Sequence, residues 1–146
     1  MASDPRRSGG VAQEAYLALR AAADHVGRLL AERCARHALT PEQLTVLRLL
    51  RGAHPEGQPR YEIAVRMPSR APDATRLLDR LERRGLVERV RSRDDRRLSI
   101  SRITARGLRV LAELDGDLRE LERDFAARLS EGQMKELARL CRAVGP

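Results

Sequence analysis

The stretch TRLLDRLERRGLVERVRSRDDRRLSISRITARG, residues 75–107, decides the fold of this chain. Its first part continues a helix that the pattern places over residues 72–84, because proline suits the first helical turn and Gly85 suits the position just after the last. Two strand-like segments follow, Val87–Arg91 and Leu98–Ile103, joined by a charged turn. A helix followed by a β-hairpin predicts a recognition helix and a wing.

Two shorter helices are predicted ahead of that stretch. The first begins at residues 40–43, where TPEQ supplies a cap, a proline for the first turn and the glutamine of a capping box. The run at residues 52–59 is rich in glycine and proline and is predicted to be a loop. A short helix follows, with Ile63 and Met67 facing inward, and it ends at Pro68. This helix and the next are joined by a tight turn, which is the pattern of a helix-turn-helix.

The flanking regions define the domain organisation. Residues 1–10 are predicted to be a disordered tail. Apolar residues recur at helical spacing over residues 11–37 and again after Thr104. We therefore expect residues 11–37 and 106–146 to be dimerisation helices around a winged helix-turn-helix at 40–105, in one intertwined domain that is mainly α with a small β-hairpin wing. The second region has a heptad-like seam of Leu108, Leu111, Leu114, Leu118, Leu121 and Phe125, and its last helix carries Met134, Leu137, Leu140 and Cys141 on its inner side.

The positive charge of the chain is confined to one segment. The sequence has a net charge of +8. Residues 60–109 contain 15 Arg against 7 Asp and Glu, whereas the rest of the chain carries 14 basic and 14 acidic side chains. A genome rich in G and C would explain why the basic residues are arginines, but it would not gather the surplus in one third of the chain. A segregated basic block is typical of a DNA-binding module.

The predicted recognition helix divides into an inner and an outer face. Leu77, Leu78 and Leu81 face the core, and charged residues follow the opposite stripe at spacings of three and four, ending at Arg83 or Arg84. The N-terminal residues of such a helix lie nearest the base edges of the major groove. The predicted base contacts are Asp73, Ala74, Thr75, Arg76 and Arg80, with Arg76 as a bidentate partner of guanine, and the predicted phosphate contacts are Ser69 and Arg70. The alternative is a solvated face with ion pairs such as Asp79–Arg83.

The tip of the hairpin is the second predicted DNA contact. It carries Arg93, Asp95, Arg96 and Arg97, a composition that suits neither a core nor an apolar interface. Arg96 or Arg97 is predicted to enter the minor groove, which attracts guanidinium groups where it is narrow. Asp95 is predicted to hold Arg97 through a charge-assisted hydrogen bond. The alternative is a charged hairpin that contacts only solvent.

The same residues resemble the MarR family of transcriptional regulators. The run from Thr75 to Arg89 is similar to the family's recognition helix and its exit, and Asp95-Arg96-Arg97 followed by residues 103–107, ITARG, is similar to its wing and the entry to its dimerisation helix. Residues 39–50 also match the family's second helix. The turn at residues 67–72, MPSRAP, departs from the commoner pattern, which has glycine and no prolines. The likeness covers residues 11–144.

This resemblance implies a winged-helix homodimer joined through its terminal helices, with Asp95 and Arg97 as the wing pair and Thr75, Arg76 and Arg80 in the groove. It implies binding to pseudo-palindromic double-stranded DNA, usually to repress nearby genes, and often a small-molecule effector, an oxidant or a metal that tunes affinity. The family's ligand pocket lies between the dimer helices and the winged unit. The polar and aromatic residues available to line it are Tyr16, His25, Arg28, His37 and Tyr61.

Other functions have little support in the sequence. No nucleophile–base pair, phosphate loop, zinc spacing or paired carboxylate motif is present, which argues against an enzyme and against a cofactor. No apolar run is long enough for a membrane span and no signal peptide is recognised, so a cytoplasmic location is expected. Cys34 and Cys141 leave open a redox sensor, and Cys34 with His37 a partial metal face. A winged-helix architectural or protein-interaction module without a specific operator is the alternative function.

Overall fold

The computed structural model describes residues 5–67, 74–95 and 97–145, with side chains from residue 10 onward. Within these ranges the chain forms six helices and three strands in the order predicted, with one added strand. The helices are α1 (Pro5–Arg36), α2 (Pro41–Gly52), α3 (Arg60–Arg66), α4 (Ala74–Arg83), α5 (Ala105–Ala126) and α6 (Glu131–Val144), and the strands are β1 (Gln58–Pro59), β2 (Val87–Arg91) and β3 (Ser99–Ile103). The prediction of a mainly α fold with a small wing is confirmed.

The helix ends follow from the capping residues that the sequence supplies. The Thr40 hydroxyl accepts a hydrogen bond from the Gln43 amide at 3.2 Å, and the Gln43 side chain accepts one from the Thr40 amide at 3.0 Å. The same capping box opens α6 at Ser130. Gly85 adopts a φ of +68° just after α4, a conformation that glycine reaches without the penalty of a Cβ. Local sequence therefore determines where these helices begin and end.

The core lies where α2, α4 and α5 meet the inner face of the sheet. Leu47 and Leu50 of α2, Leu78 and Leu81 of α4 and Leu111 of α5 are fully or almost fully buried. Each such leucine contributes about 1.5–3 kcal/mol through the apolar surface that it removes from water. This packing fixes the outer face of α4 relative to the wing.

Helix α1 begins at Pro5, so the prediction of a disordered tail is wrong from residue 5 onward. Proline is favourable in the first turn of a helix, because its missing N–H would have no partner there. The helix continues back from Val11 through Gly9 and Gly10, although each glycine costs about 1 kcal/mol relative to alanine. The charges and glycines of residues 1–10 favour a tail when this segment is considered by itself. In the structure, residues 5–10 are helical because they extend the long helix that follows them.

The prediction of a loop at residues 52–59 is wrong at its end, since Gln58 and Pro59 form β1. This strand pairs with β3 in an antiparallel three-stranded sheet of order β1-β3-β2, with Gln58 opposite Ser101. Gly57 permits the pairing, because its φ is +81° and a Cβ there would lie 2.3 Å from the Ser101 carbonyl oxygen. Two residues carry no periodic signal from which a strand is recognised.

The leucine seam of α5 serves the chain's own core more than a partner. Leu111, Leu114 and Leu118 are buried within the single chain, and only Phe125 at the far end is exposed. Leu111, Leu114 and Leu118 belong to the chain's own core, and α5 contacts both α1 and α2, so these positions do not form an exposed face for a partner. The dimerisation role of residues 106–146 stays a prediction. In the described parts of the chain, no helix is both long and apolar enough to cross a membrane.

Candidate nucleic-acid interface

Helix α4 is amphipathic in the way that the sequence predicts. Leu77, Leu78 and Leu81 pack into the core, while Arg76, Arg80 and Arg83 are exposed on the opposite side. Ala74 belongs to the buried side and is 4% exposed, so the prediction that it contacts bases is wrong. Its position three and four residues before the first two leucines places it on their face.

Four residues of the predicted interface fall outside the described ranges: Ser69, Arg70, Asp73 and Arg96. Their roles stay predictions. The start of the recognition helix before Ala74 stays a prediction for the same reason.

The wing is held by hydrogen bonds of its own turn. The Ser92 hydroxyl accepts hydrogen bonds from the Asp94 and Asp95 amides at 3.2 and 3.3 Å, and the Ser92 amide donates to the Leu98 carbonyl at 2.9 Å. Asp95 accepts a hydrogen bond from the main-chain amide of Arg97 at 2.9 Å. The predicted pairing of Asp95 with the Arg97 guanidinium is therefore wrong, because a side chain two residues earlier reaches the backbone first.

Arg89 joins the wing to the recognition helix. From β2, its guanidinium contacts Asp79 at 2.6 Å and Glu82 at 3.2 Å, both on α4. The alternative of a solvated face had Asp79 paired with Arg83 along the helix, but Asp79 pairs with Arg89 of the wing instead. Arg89 thus offsets part of the negative charge of these two carboxylates, which would otherwise repel a DNA phosphate next to α4.

Substituting Arg89 by Gln is expected to weaken duplex DNA binding about tenfold, since two carboxylates on α4 lose their counter-charge. Adding Asp79→Asn and Glu82→Gln should restore most of the affinity, which fluorescence anisotropy would measure. Melting temperatures should barely change, because exposed ion pairs contribute only about 0–1 kcal/mol. Failure of the triple variant to recover would mean that Arg89 itself contacts DNA.

Two further arginines of the basic block hold the fold together. Arg84 donates to the main-chain carbonyls of His37, at 3.0 Å, and Ala38, so it anchors the end of α4 rather than facing outward. Arg102 donates to the Glu56 carbonyl at 2.9 Å. These contacts direct both guanidinium groups toward main-chain carbonyls of the chain itself.

The arginines that remain lie on α4 and the wing, and we call them the outward arginines. They are exposed, and their guanidinium groups have no hydrogen-bonding or ionic partner among the described residues. This set consists of Arg80, Arg83, Arg91, Arg93 and Arg97. Arg76 is also exposed on the same face of α4. The fold therefore gathers cationic side chains from two elements onto one surface.

A cleft with a volume of about 350 Å³ separates the recognition helix from the wing. Its charged lining consists of Arg60 from α3, Arg89 from β2 and Arg97 from the wing turn. Arg60 donates a hydrogen bond to the Thr75 hydroxyl at 2.9 Å, so Thr75 is already partnered by a cation. Sequence reasoning missed Arg60 as a site residue, although it is the first residue of the basic block.

Asp115 connects the helix-turn-helix to α5. Its carboxylate accepts hydrogen bonds from Arg48, at 2.8 Å, and Arg51, at 2.5 Å, both on α2. Burial alone would raise the pKa of the Asp115 carboxyl, but the hydrogen bonds and charges of the two arginines outweigh it and hold the pKa below its usual value. The contact fixes α5 to the winged unit at a charged point. Sequence analysis did not identify this contact, because its partners are more than 60 residues apart.

The predicted ligand-pocket residues lie on different elements of the chain. Tyr16, His25 and Arg28 are exposed along α1. Tyr61 is exposed on α3 and lines the cleft beside the wing. The His37 side chain is largely buried, and its Nε2 lies 3.1 Å from Asp117 on α5. A shared pocket for these five residues stays a prediction.

The cysteines differ in their surroundings. Cys34 is fully buried and Cys141 is exposed. Burial raises the pKa of the Cys34 thiol, despite the opposing charge of Arg48, so this thiol is less ionised than an ordinary cysteine. A raised pKa is the opposite of what a redox-sensing thiolate needs. Among the described side chains, no group of three His, Cys, Asp or Glu is arranged to hold a metal ion.

Comparison with known proteins places this surface in context. The MarR family model matches residues 39–99, from the residue before the Thr40 cap to the start of β3. The chain is 35% identical to a MarR transcription factor of Planctomyces limnophilus, whose crystal structure it matches over 99% of both chains with a TM-score of 0.70. It is 28% identical over 110 residues to the HTH-type transcriptional regulator MhqR of Bacillus subtilis (strain 168). These aligned residues cover 75% of this chain and 74% of MhqR. The S. aureus MepR–DNA complex shares the fold, with a TM-score of 0.75 at 23% identity over 89% of this chain and 95% of MepR.

Proposed function

Because the chain belongs to the MarR family of winged helix-turn-helix regulators, we propose that it binds double-stranded DNA as a homodimer and regulates transcription. The observation that carries this proposal is the surface formed by Arg76 and the outward arginines on α4 and the wing. A helix with this outer face fits the major groove, and an arginine-rich hairpin beside it suits the adjacent minor groove. The DNA of the MepR complex, a protein with the same fold, supports the choice of ligand.

The homodimer is supported by apolar residues that one chain leaves uncovered. Helix α6 has no buried residue, although Leu137, Leu140 and Val144 lie along it. Val11 and Val26 of α1 are exposed as well. A second copy that covers these helices would remove the apolar surface from water, and the two-fold axis would present two α4 helices to major grooves about 34 Å apart. The operator would then be an inverted repeat.

Response to a small molecule is part of the proposal, as is repression. An effector that binds one dimer conformation better than the other would change DNA affinity by its coupling energy, typically about 1–3 kcal/mol. The residues we assign to that pocket, between the dimer helices and the winged unit, are Tyr16, His25, Arg28, His37 and Tyr61. The cytoplasmic location expected from the sequence follows from the proposal, because a regulator acts where the chromosome is.

Selection of bound fragments from genomic DNA with the purified protein tests the proposal. A specific regulator retains a large preference for its operator over random duplex as salt rises, although both affinities fall. An architectural module would select no common sequence, and a protein-interaction module would bind no duplex even at low salt. Either result would refute the proposed function.

Arg76→Ala and Arg97→Ala are expected to weaken operator binding in different ways. Loss of a bidentate guanine contact costs about 1–3 kcal/mol, so Arg76→Ala should bind about tenfold or more weakly and tolerate any base at one position per half-site. Arg97→Ala should weaken binding more evenly across sequences, because neither the phosphate backbone nor the minor groove distinguishes the bases well. Gel shifts on a set of single-base operator variants measure both. Wild-type behaviour of both variants would show that the site is misplaced.

A further inference from the structure

The cleft between the recognition helix and the wing has the position and the chemistry of an anion site. We propose that it holds one DNA backbone phosphate in each half-site, bound by Arg60 of α3 and Arg97 of the wing. This inference rests on the proposed DNA binding and assigns a contact to α3, an element outside the helix and hairpin that approach the grooves.

The position follows from the shape of the duplex. A major groove and the adjacent minor groove are separated by one sugar–phosphate strand. If α4 lies in the first groove and the wing turn enters the second, that strand passes between them. The concave surface between α4 and the wing is the cleft, so a phosphate of the dividing strand lies at its opening.

Among the described residues, the cleft offers that phosphate two cations, Arg60 and Arg97. Arg89 is neutralised by Asp79 and Glu82, which lie at 2.6 and 3.2 Å. Arg97 donates only its main-chain amide to Asp95, and its guanidinium has no partner among the described residues. Arg60 is held by a single hydrogen bond to Thr75. A guanidinium has five N–H donors, so Arg60 can keep Thr75 and still bind a phosphate oxygen.

The short strand β1 explains how Arg60 reaches this place. Pro59, the residue before Arg60, pairs with Ile100 of β3, and Gln58 pairs with Ser101. This pairing fixes the start of α3 beside the wing. Residues of α3 and of the wing together line the cleft. Arg60 is thereby positioned by the sheet and by Thr75 before DNA arrives, which lowers the entropy lost on binding.

Arg60→Gln tests the phosphate contact, with Arg109→Gln as the control. Arg109 is exposed on α5, has no partner among the described side chains and does not line the cleft, so both variants lose one positive charge. The slope of log K against log salt concentration is negative, and each phosphate contact makes it steeper by about 0.9. The dimer has one such contact in each half-site, so Arg60→Gln should make the slope shallower by about 2. In Arg60→Gln, affinity should fall by a similar factor on operator and on random duplex. Arg60→Lys should restore much of the slope. Arg109→Gln should leave the slope near that of the wild type.

A scan with single methylphosphonates, which remove one phosphate charge at a time, locates the contact. In the wild type, one neutral phosphate per half-site, between the major-groove and minor-groove contacts, should weaken binding. In Arg60→Gln the loss at that same position should be smaller than in the wild type, because only Arg97 still binds the phosphate. Equal slopes for Arg60→Gln and Arg109→Gln, or additive losses at every phosphate, would overturn the phosphate site while leaving DNA binding intact. If the wild type bound no duplex at all, both proposals would fail.

Discussion

Leu140→Glu is expected to make the protein monomeric and to weaken operator binding about 100-fold or more. Leu140 lies on α6 and is 47% exposed in one chain, next to Leu137 and Val144. In a two-fold dimer each copy of the new carboxylate would be taken out of water without a partner, at a cost of several kcal/mol per ion. In a dimer bound at one half-site, binding to the second half-site is intramolecular, which raises affinity about 10²–10⁴-fold. A monomer loses this gain.

Arg142→Gln is the matched control for this experiment. It lies on the same helix, is exposed and lowers the net charge by one, as Leu140→Glu does. Sedimentation at micromolar concentration gives the oligomeric state, circular dichroism checks that the helices persist, and anisotropy gives operator affinity. A Leu140→Glu protein that remains dimeric and binds like Arg142→Gln would place the interface elsewhere. Val26→Glu on α1 is a second variant, expected to act in the same direction because Val26 is equally exposed.

Asp115→Ala is expected to lower the free energy of unfolding by about 2 kcal/mol, because it leaves Arg48 and Arg51 without their acceptor. Asp115 is the more buried partner, with 17% of its side chain exposed, whereas both arginines are close to half exposed. Urea denaturation followed by circular dichroism measures the change. Glu122→Ala, an exposed position on the same helix, is the control and should change stability by less than about 0.5 kcal/mol.

The effect of Asp115→Ala depends on pH in a defined direction. The folded pKa of Asp115 lies below that of an unfolded aspartate, about 3.9. Its stabilisation is therefore fully present above the unfolded pKa and is lost as the pH falls through the lowered folded value. The difference in unfolding free energy between wild type and Asp115→Ala should be constant from neutral pH to about pH 5 and should shrink below about pH 4. A difference that grew on acidification would contradict this role for Asp115.

The assignment of elements and of the basic region could be made from the sequence. Thr40, Thr104 and Ser130 cap helices where their side chains predict, and Gly85 follows α4 with positive φ. These features depend on interactions within a few residues, which is why sequence alone identifies them. The segregation of charge in residues 60–109 is likewise a property of sequence order.

Only the tertiary structure decided which arginines are available. Arg84 and Arg102 bind main-chain carbonyls, Arg89 binds two carboxylates of α4, and Arg80 and Arg97 face outward. In the sequence these five are equivalent, since each is an arginine within one basic block. Their partners are contributed by other elements of the fold, and Arg84 and Arg102 each reach a residue 46 positions away. The pairing depends on how α4, the wing and the preceding loops pack, which no local pattern encodes.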